Sequence, residues 1–409
     1  MISQKENASH NSFKTVFEQL LEPIDEFVKK QDANLKRHHN QKLFYYDFFR
    51  ILIYFFVSSE KSFKLFIVSQ LNKDLLPKIL NLKTVPYSTI NEAFEHFPVI
   101  LFREAFQYLL KTVPFKYIPQ IEKLGKLYCI DGSLFPVISS MVWAQYTSTH
   151  QSLKFHLCFE LNRMLPVEFF ISAANYSERK ALINMLQSGI TYIADRGYMS
   201  FQLCYRIVQS KAYFIFRIRA GLVYTVKEIL EVQLPVQKSN IFENVTDNLI
   251  NYMNDEFGET YRLVSFSISQ DVFYILTNRM DLTTFQIIML YAYRWQIELM
   301  FRFLKRTMNG IHLIKQCQHG VTIQFYIMLI VALLQLRLKQ ISIQKCDEKY
   351  NFHQVENSKK SIPGKLTFLE TIGKNLKKYW KIGIHWLTAL KNLLSAAFDA
   401  RAIKILNTS

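Results

Sequence analysis

The chain has 409 residues, half of them hydrophobic, and only 11 glycines. That length holds two or three domains with cores of their own, and the scarcity of glycine leans towards helix. Lysine and arginine outnumber the acids 50 to 33, and the net charge of +17 is unevenly spread: 15 basic against 12 acidic side chains in 1–115, 17 against 16 in 116–300, and 18 against 5 in 301–409. A surplus concentrated in the last segment suits a polyanion, nucleic acid above all, though a generally basic protein gives the same composition. The five cysteines (Cys129, Cys158, Cys204, Cys317, Cys346) form no C-x-x-C pair and no cluster. This argues against a zinc site or disulfide framework and fits a reducing cytoplasm. The polar first residues show no signal peptide. Two apolar runs, 43–57 and 325–336, fall short of the roughly 20 residues that cross a bilayer and read as buried helices.

Residues 1–115 read as all-helical. Phe13, Val16, Phe17, Leu20, Leu21, Ile24, Phe27 and Val28 recur at helical spacing, with Pro23 as a kink. The aromatic run at 43–57 follows, then helices over 60–71, 74–82, 89–97 and 99–112. Thr89-Ile90-Asn91-Glu92 has the form of a capping box. Short helices ahead of a different domain suggest a helix-turn-helix-like DNA-reading module, and a plain helical bundle fits equally well.

Near 115 the texture changes. Strands are expected at 126–131 (ending in Asp131, then Gly132 and Ser133), 153–161 and 165–173, with a turn at Asn162-Arg163-Met164. Ser177 is placed to cap a helix over 178–188, closed by Gly189. A strand at 190–195 ends in Asp195, before Arg196-Gly197-Tyr198. A helix over 200–210 and a strand at 212–219 complete the run. Residues 220–282 hold further strand-like runs, read as a β-rich insertion. The acids Glu160, Glu168, Asp247, Asp255 and Asp271 lack any such context and read as surface or turn residues.

Residues 283–310 read as one long helix. Thr283 and Gln286 form a capping-box pair, and Asn309-Gly310 supplies a stop. Tyr291, Arg294, Glu298, Arg302 and Lys305 fall three, four, four and three residues apart, which lines them along one stripe. Ile288, Leu290, Ile297, Leu299, Met300 and Leu304 lie to the sides and can bury. After Gly310 the chain is helical and basic, with a polar break at about 340–363.

The pattern Y-x2-R-x3-E-x6-K (Tyr291, Arg294, Glu298, Lys305), with Asp131-Gly132-Ser133 and Asp195-Arg196-Gly197-Tyr198 upstream, resembles the signature of DDE transposases of bacterial insertion sequences, specifically family four. The resemblance covers most of 120–310. It implies a ribonuclease-H-like α/β catalytic core, a mixed sheet flanked by helices, interrupted by a β-rich insertion, with all-helical N- and C-terminal regions. The implied division is a DNA-binding region 1–115, core 116–219, insertion 220–282, core 283–320 with the signature helix, and a basic helical region 321–409.

Asp131, Asp195 and Glu298 would be the catalytic, metal-holding carboxylates. Transfer of a phosphoryl group between oxygens builds charge on both, which two divalent ions stabilise; hard ions such as Mg²⁺, with Mn²⁺ as a substitute, want oxygen ligands. Tyr291, Arg294, Arg302 and Lys305 would hold DNA phosphates, joined by Arg196, Tyr198 and Lys154, the last in a K-x-H element with His156. Trp295 would stack on an unpaired base. The implied activity is binding of inverted-repeat ends, metal-dependent strand cleavage and transfer into target DNA through a hairpin, by a homodimer in the bacterial cytoplasm at the nucleoid, with no membrane association. The alternatives are a transposase-derived protein that binds DNA without cutting it and a related nuclease.

Overall fold

The structure, a computed structural model, describes residues 17–58, 62–71, 85–115, 117–137, 141–145, 147, 151–235, 242–268, 271–307 and 313–349. Its contacts divide the chain into two compact units.

The described part of the first unit falls within 17–115, 141–143 and 303–349. Residues 17–21 are helical and a turn at 22–24 follows, centred on Pro23, whose ring removes a backbone donor. Helix α1 (Asp25–Ala33) is followed by α2 (Tyr45–Val57), which buries eight large side chains. Phe48 of α2 meets Phe94 edge-on at 5.0 Å, and Tyr45 meets Phe102 at 5.3 Å, so the core here is largely aromatic. Helices α3 (Tyr87–His96) and α4 (Val99–Thr112) each start directly behind a proline, Pro86 and Pro98. Because Pro86 sets the start, Thr89 lies inside the first turn and the capping box expected there does not form. The helix expected at 60–71 is a single turn, Phe63–Leu65, running into a wider π-type turn, Phe66–Leu71. The helix expected at 74–82 lies outside the described residues.

The second unit is built on a nine-stranded mixed sheet. Its first five strands are β1 (Lys126–Pro136), β2 (Ser152–Glu160), β3 (Leu165–Ala173), β4 (Ile190–Ala194) and β5 (Tyr213–Arg217). They lie in the order β3-β2-β1-β4-β5. The pairs β1–β2 and β2–β3 are antiparallel; β1–β4 and β4–β5 are parallel, with helix α5 (Glu178–Asn184) leading from β3 to β4 and helix α6 (Phe201–Gln209) crossing from β4 to β5. The segment 220–282 is β-rich as expected, with strands β6 (Tyr224–Ile229), β7 (Glu243–Tyr252), β8 (Tyr261–Ile268) and β9 (Asp271–Thr277). They extend the same sheet, with β9 antiparallel to β5 and then β8, β7 and β6 outward. Strand alternation sorts the two faces. Tyr128, Ile130, Cys158, Tyr192 and Ala194 face the side where α5 and α6 pack. On the other side helix α7 (Thr284–Ala292) packs on β4, β5, β8 and β9.

Three acids read as surface or turn residues are buried instead. Asp247 on β7 takes a two-pronged contact from Arg262 on β8 at 2.8 and 2.6 Å and a third bond from Thr284 Oγ1 at 2.7 Å. Arg262 also donates to the carbonyls of Arg279 and Leu282, so the pair ties β7 and β8 to the start of α7. Glu160 is clamped by Arg163 through two 2.7 Å bonds, and Asp255 accepts from the Tyr261 hydroxyl and two backbone amides. Glu160 and Asp255 draw their partners from close in sequence and Asp247 from 15 and 37 residues away, and in none of them does the spacing alone carry a sign of burial.

Helix α8 (Trp295–Thr307) follows α7, and α9 (Gln318–Lys349) rejoins the first unit, packing on α2, α3 and α4. Strand and helix bounds correct two expectations. The apolar run thought too short to span a bilayer sits in a helix whose 21-residue stretch Gln318–Leu338 is long and apolar enough by length and composition. Val321, Ile323, Phe325 and 327–334 are nonetheless almost fully buried, as in the core helix of a bundle. The polar break expected from about 340 is helix to Lys349, and its remainder lies outside the described residues.

Candidate active site

Strand β1 outruns its parallel neighbour. Their last paired residues are Cys129 and Ile193; β4 ends at Ala194 while β1 continues to Pro136 along β2. Asp131 therefore lies within a strand, not at its end, at the point where one flank opens. Asp195 is the first residue beyond β4, two positions after Ile193, so both acids leave the sheet on the same face. Each is fixed by a local backbone bond: Gly132 N–H donates to Asp131 Oδ1 at 2.8 Å, and Gly197 N–H to Asp195 Oδ1 at 2.8 Å.

The third acid arrives on the same face. The expected long helix over 283–310 is two helices. The capping box at Thr283 and Gln286 forms as expected and starts α7. The helix then tightens at 293–294, where the amides of Arg294, Gln296 and Ile297 each bond the carbonyl three residues back. One turn of three residues reads the same in sequence as one of 3.6, which is why the break was not visible. The tight turn stacks Arg294 over Tyr291, 6.0 Å from the ring centroid, and α8 then sets Glu298 beneath Arg294 with a 2.8 Å bond. Arg294 Nη1 lies 3.9 Å from Asp131 Oδ2. One guanidinium thus stands between the first and third acids. The stop at Asn309-Gly310 lies outside the described residues.

Burial pushes the Asp131 carboxyl up to about 7; Arg294 and the Gly132 amide work against the shift, and Asp195 and Glu178 add to it. Burial disfavours the charge of Arg294, but Tyr291, Glu298 and Asp131 outweigh it and its pKa rises.

The remaining expected residues divide. Arg196 is exposed at the mouth of the β4 loop. Arg302 is exposed and lies over the Trp295 ring, 5.0 Å from its centroid, with Trp295 half-buried. Lys154 is bound in an ion pair with Glu178, 3.2 Å. Tyr198 is a correction: its side chain is 0% exposed and belongs to the core beneath α6, so it cannot lie on a DNA surface as it stands. Tyr291 is likewise only 6% exposed and serves as a platform for Arg294. Leu299 is half-exposed, whereas Ile288, Leu290, Ile297, Met300 and Leu304 bury as expected. Burial lowers the pKa of Lys305, which the contacts group with the helical unit although it shares α8 with Glu298.

Sequence reasoning missed Glu178, the first residue of α5, behind its cap Ser177. An acid at a helix start has an ordinary explanation in the helix dipole, so nothing in the sequence set it apart.

The family described as "Transposase DDE domain" matches residues 122–334. The chain belongs to the DDE transposase family. A Sinorhizobium fredii protein named "Putative transposase y4zB" is 25% identical over 256 residues, covering 60% of this chain and 70% of that protein. Among solved structures, the endonuclease V of Bacillus subtilis covers 63% of this chain and 96% of its own, at 10% identity and a TM-score of 0.20, a likeness too slight to carry an argument. DDE transposases are polynucleotidyl transferases that act on DNA and use a divalent metal. The donors here suit a hard cation: every candidate ligand is a carboxylate oxygen, and Asp131 and Asp195 share a face at neighbouring strand positions. Among the described residues no three such groups converge closely enough to hold an ion directly, and Glu298 is engaged by Arg294.

Proposed function

We propose that this DDE transposase belongs to insertion-sequence family four and that its sheet, with the order β3-β2-β1-β4-β5 at its centre, is a ribonuclease-H-like core. The observation that carries the reading is the placing of Asp131 and Asp195 on one face of adjacent parallel strands, with Glu298 joined to Asp131 through Arg294. The protein binds the terminal inverted repeats of its own element, cleaves the strands and transfers them to target DNA, passing through a hairpin. Asp131, Asp195 and Glu298 hold Mg²⁺, or Mn²⁺ in its place. The cation, when bound, stabilises charge on the attacking and leaving oxygens.

Glu298, now bonded to Arg294 at 2.8 Å, would be a ligand once free of that bond, and the Arg294 fork would suit a terminal phosphate. Lys305, Arg302, Arg196 and Lys154 add charge along the DNA, and Trp295 stacks on a base exposed near the cut. The helices of 1–115 read the ends, two copies pair in the synaptic complex, and the protein works in the cytoplasm at the nucleoid.

The test is Glu298→Gln in a cleavage assay with the element's ends and Mg²⁺. Cleavage is expected to be lost while end binding persists; full retained cleavage overturns the assignment. The engagement of Glu298 by Arg294 also favours a second reading, a DNA-binding protein that does not cut. End binding by the wild type with no nicking in either Mg²⁺ or Mn²⁺ would support that reading instead.

A further inference from the structure

Neither Gly132 nor Gly197 has a positive φ, so the lack of a side chain in the two aspartate motifs has another cause. A Cβ on Gly132 would lie 3.1 Å from Glu178 Oε1, 3.4 Å from Lys154 Cδ and 3.6 Å from His156 Nδ1. A Cβ on Gly197 would lie 3.1 Å from Asp195 Oδ1 and 3.6 Å from Glu178 Oε2. Both oxygens of Glu178 therefore occupy space that two bare backbones leave open. Glu178 approaches from the α5 face, opposite to the side chain of Asp131, and Arg179 Nε anchors the same turn to the Gly197 carbonyl at 3.2 Å.

Two buried polar atoms beside Glu178 have no hydrogen-bond partner among the described residues. One is His156 Nδ1. The Ser172 hydroxyl spends its proton on the Ala173 carbonyl, so it accepts from His156 Nε2 at 2.9 Å, and Nδ1 is left as a bare acceptor. The other is the Tyr198 hydroxyl, a donor, which feels the charges of Asp131, Glu178 and Asp195. A buried lone acceptor and a buried hydroxyl without a partner are groups that ordered water satisfies.

We propose that Glu178 is a positioning residue of the metal centre, accepting hydrogen bonds from the hydration shell of the cation held by Asp131 and Asp195, with His156 Nδ1 and the Tyr198 hydroxyl completing that shell. The proposal rests on the metal-site reading above. Mg²⁺ keeps several of its waters, and partners beyond the direct ligands commonly set affinity by ten- to a hundredfold. Lys154 neutralises Glu178 until the cation enters.

The experiment measures Mn²⁺ binding to the full chain without DNA, by titration calorimetry and by the spin-resonance signal of free Mn²⁺. Glu178→Gln is expected to raise the Kd roughly tenfold or more. Glu178→Asp should recover part of the loss. Lys154→Met should shift the Kd the opposite way, to tighter binding, because it removes a competing cation; a merely structural role of the pair would weaken binding in both variants. Matched circular dichroism and melting curves guard against a folding defect. A Kd within twofold of wild type in Glu178→Gln, with binding lost in Asp131→Asn, overturns the role of Glu178 and leaves the metal site standing. Undiminished binding in Asp131→Asn overturns the metal-site reading itself.

Discussion

Asp131→Asn isolates the electrostatic cost of the site. The folded protein holds this carboxyl at about 7, against 3.8 for the free side chain. A carboxyl whose pKa is raised by folding binds its proton more tightly in the native state than in the unfolded chain. Its contribution to stability is whole below about pH 4 and is lost as the pH climbs towards 7. A shift of about three units is worth roughly 4 kcal/mol in full, of which about 2–3 kcal/mol falls between pH 5 and pH 8. The Asp131 side chain is 23% exposed, so solvent screening removes little of this. Asparagine keeps the oxygen that accepts from the Gly132 amide at 2.8 Å and cannot ionise. Urea unfolding of both proteins at pH 5 and pH 8, with chelator present, gives a difference of differences in which other titrations cancel. The advantage of the variant is expected to grow by about 2–3 kcal/mol from the lower pH to the higher. An advantage that stays the same at both values refutes the argument that burial strains this carboxylate. Adding Mg²⁺ at pH 8 should then stabilise the wild type and leave the variant unmoved.

Three further outcomes follow from particular contacts. Arg262→Met strands the buried Asp247 carboxylate, and thermal and urea unfolding should show a loss of about 3–5 kcal/mol. Gly132→Ala should leave stability within about 1 kcal/mol, since alanine suits a strand better than glycine, while the crowding of Glu178 raises the Mg²⁺ concentration needed for cleavage. Trp295→Ala, which removes a half-buried ring beneath the Arg302 guanidinium, should weaken binding of end DNA by about 1–3 kcal/mol in fluorescence anisotropy, while circular dichroism and melting curves check that the fold is kept.

Local pattern carried the central part of the chain well. Alternating apolar runs bounded by turn residues put β2 to β5 and α6 within two residues of their observed limits, whereas β1 runs on to Pro136 along β2 and α5 ends at Asn184, short of the expected stop at Gly189. What periodicity could not reveal was long-range. Nothing in 220–282 says that its strands join the main sheet, since a strand edge is satisfied by any partner. Asp247 and Arg262 are fifteen residues apart and look like ordinary surface charges until β7 and β8 pair. The stripe at Tyr291, Arg294 and Glu298 was legible as a cluster, but not that Arg294 would stand between two acids, which depends on where β1 places Asp131. Glu178 escaped notice because its neighbours, Gly132 and Gly197, are distant in sequence and have no side chain to hint at company.

The knot of Asp247, Arg262 and Thr284 has a consequence for the newly made chain. Thr284 at the start of α7 meets Asp247 where β7 and β8 pair, and Glu298 lies on the helix that follows. Most of the polypeptide must leave the ribosome before a third acid can come near the first two. A nascent or truncated copy would hold Asp131 and Asp195 without the means to finish the centre.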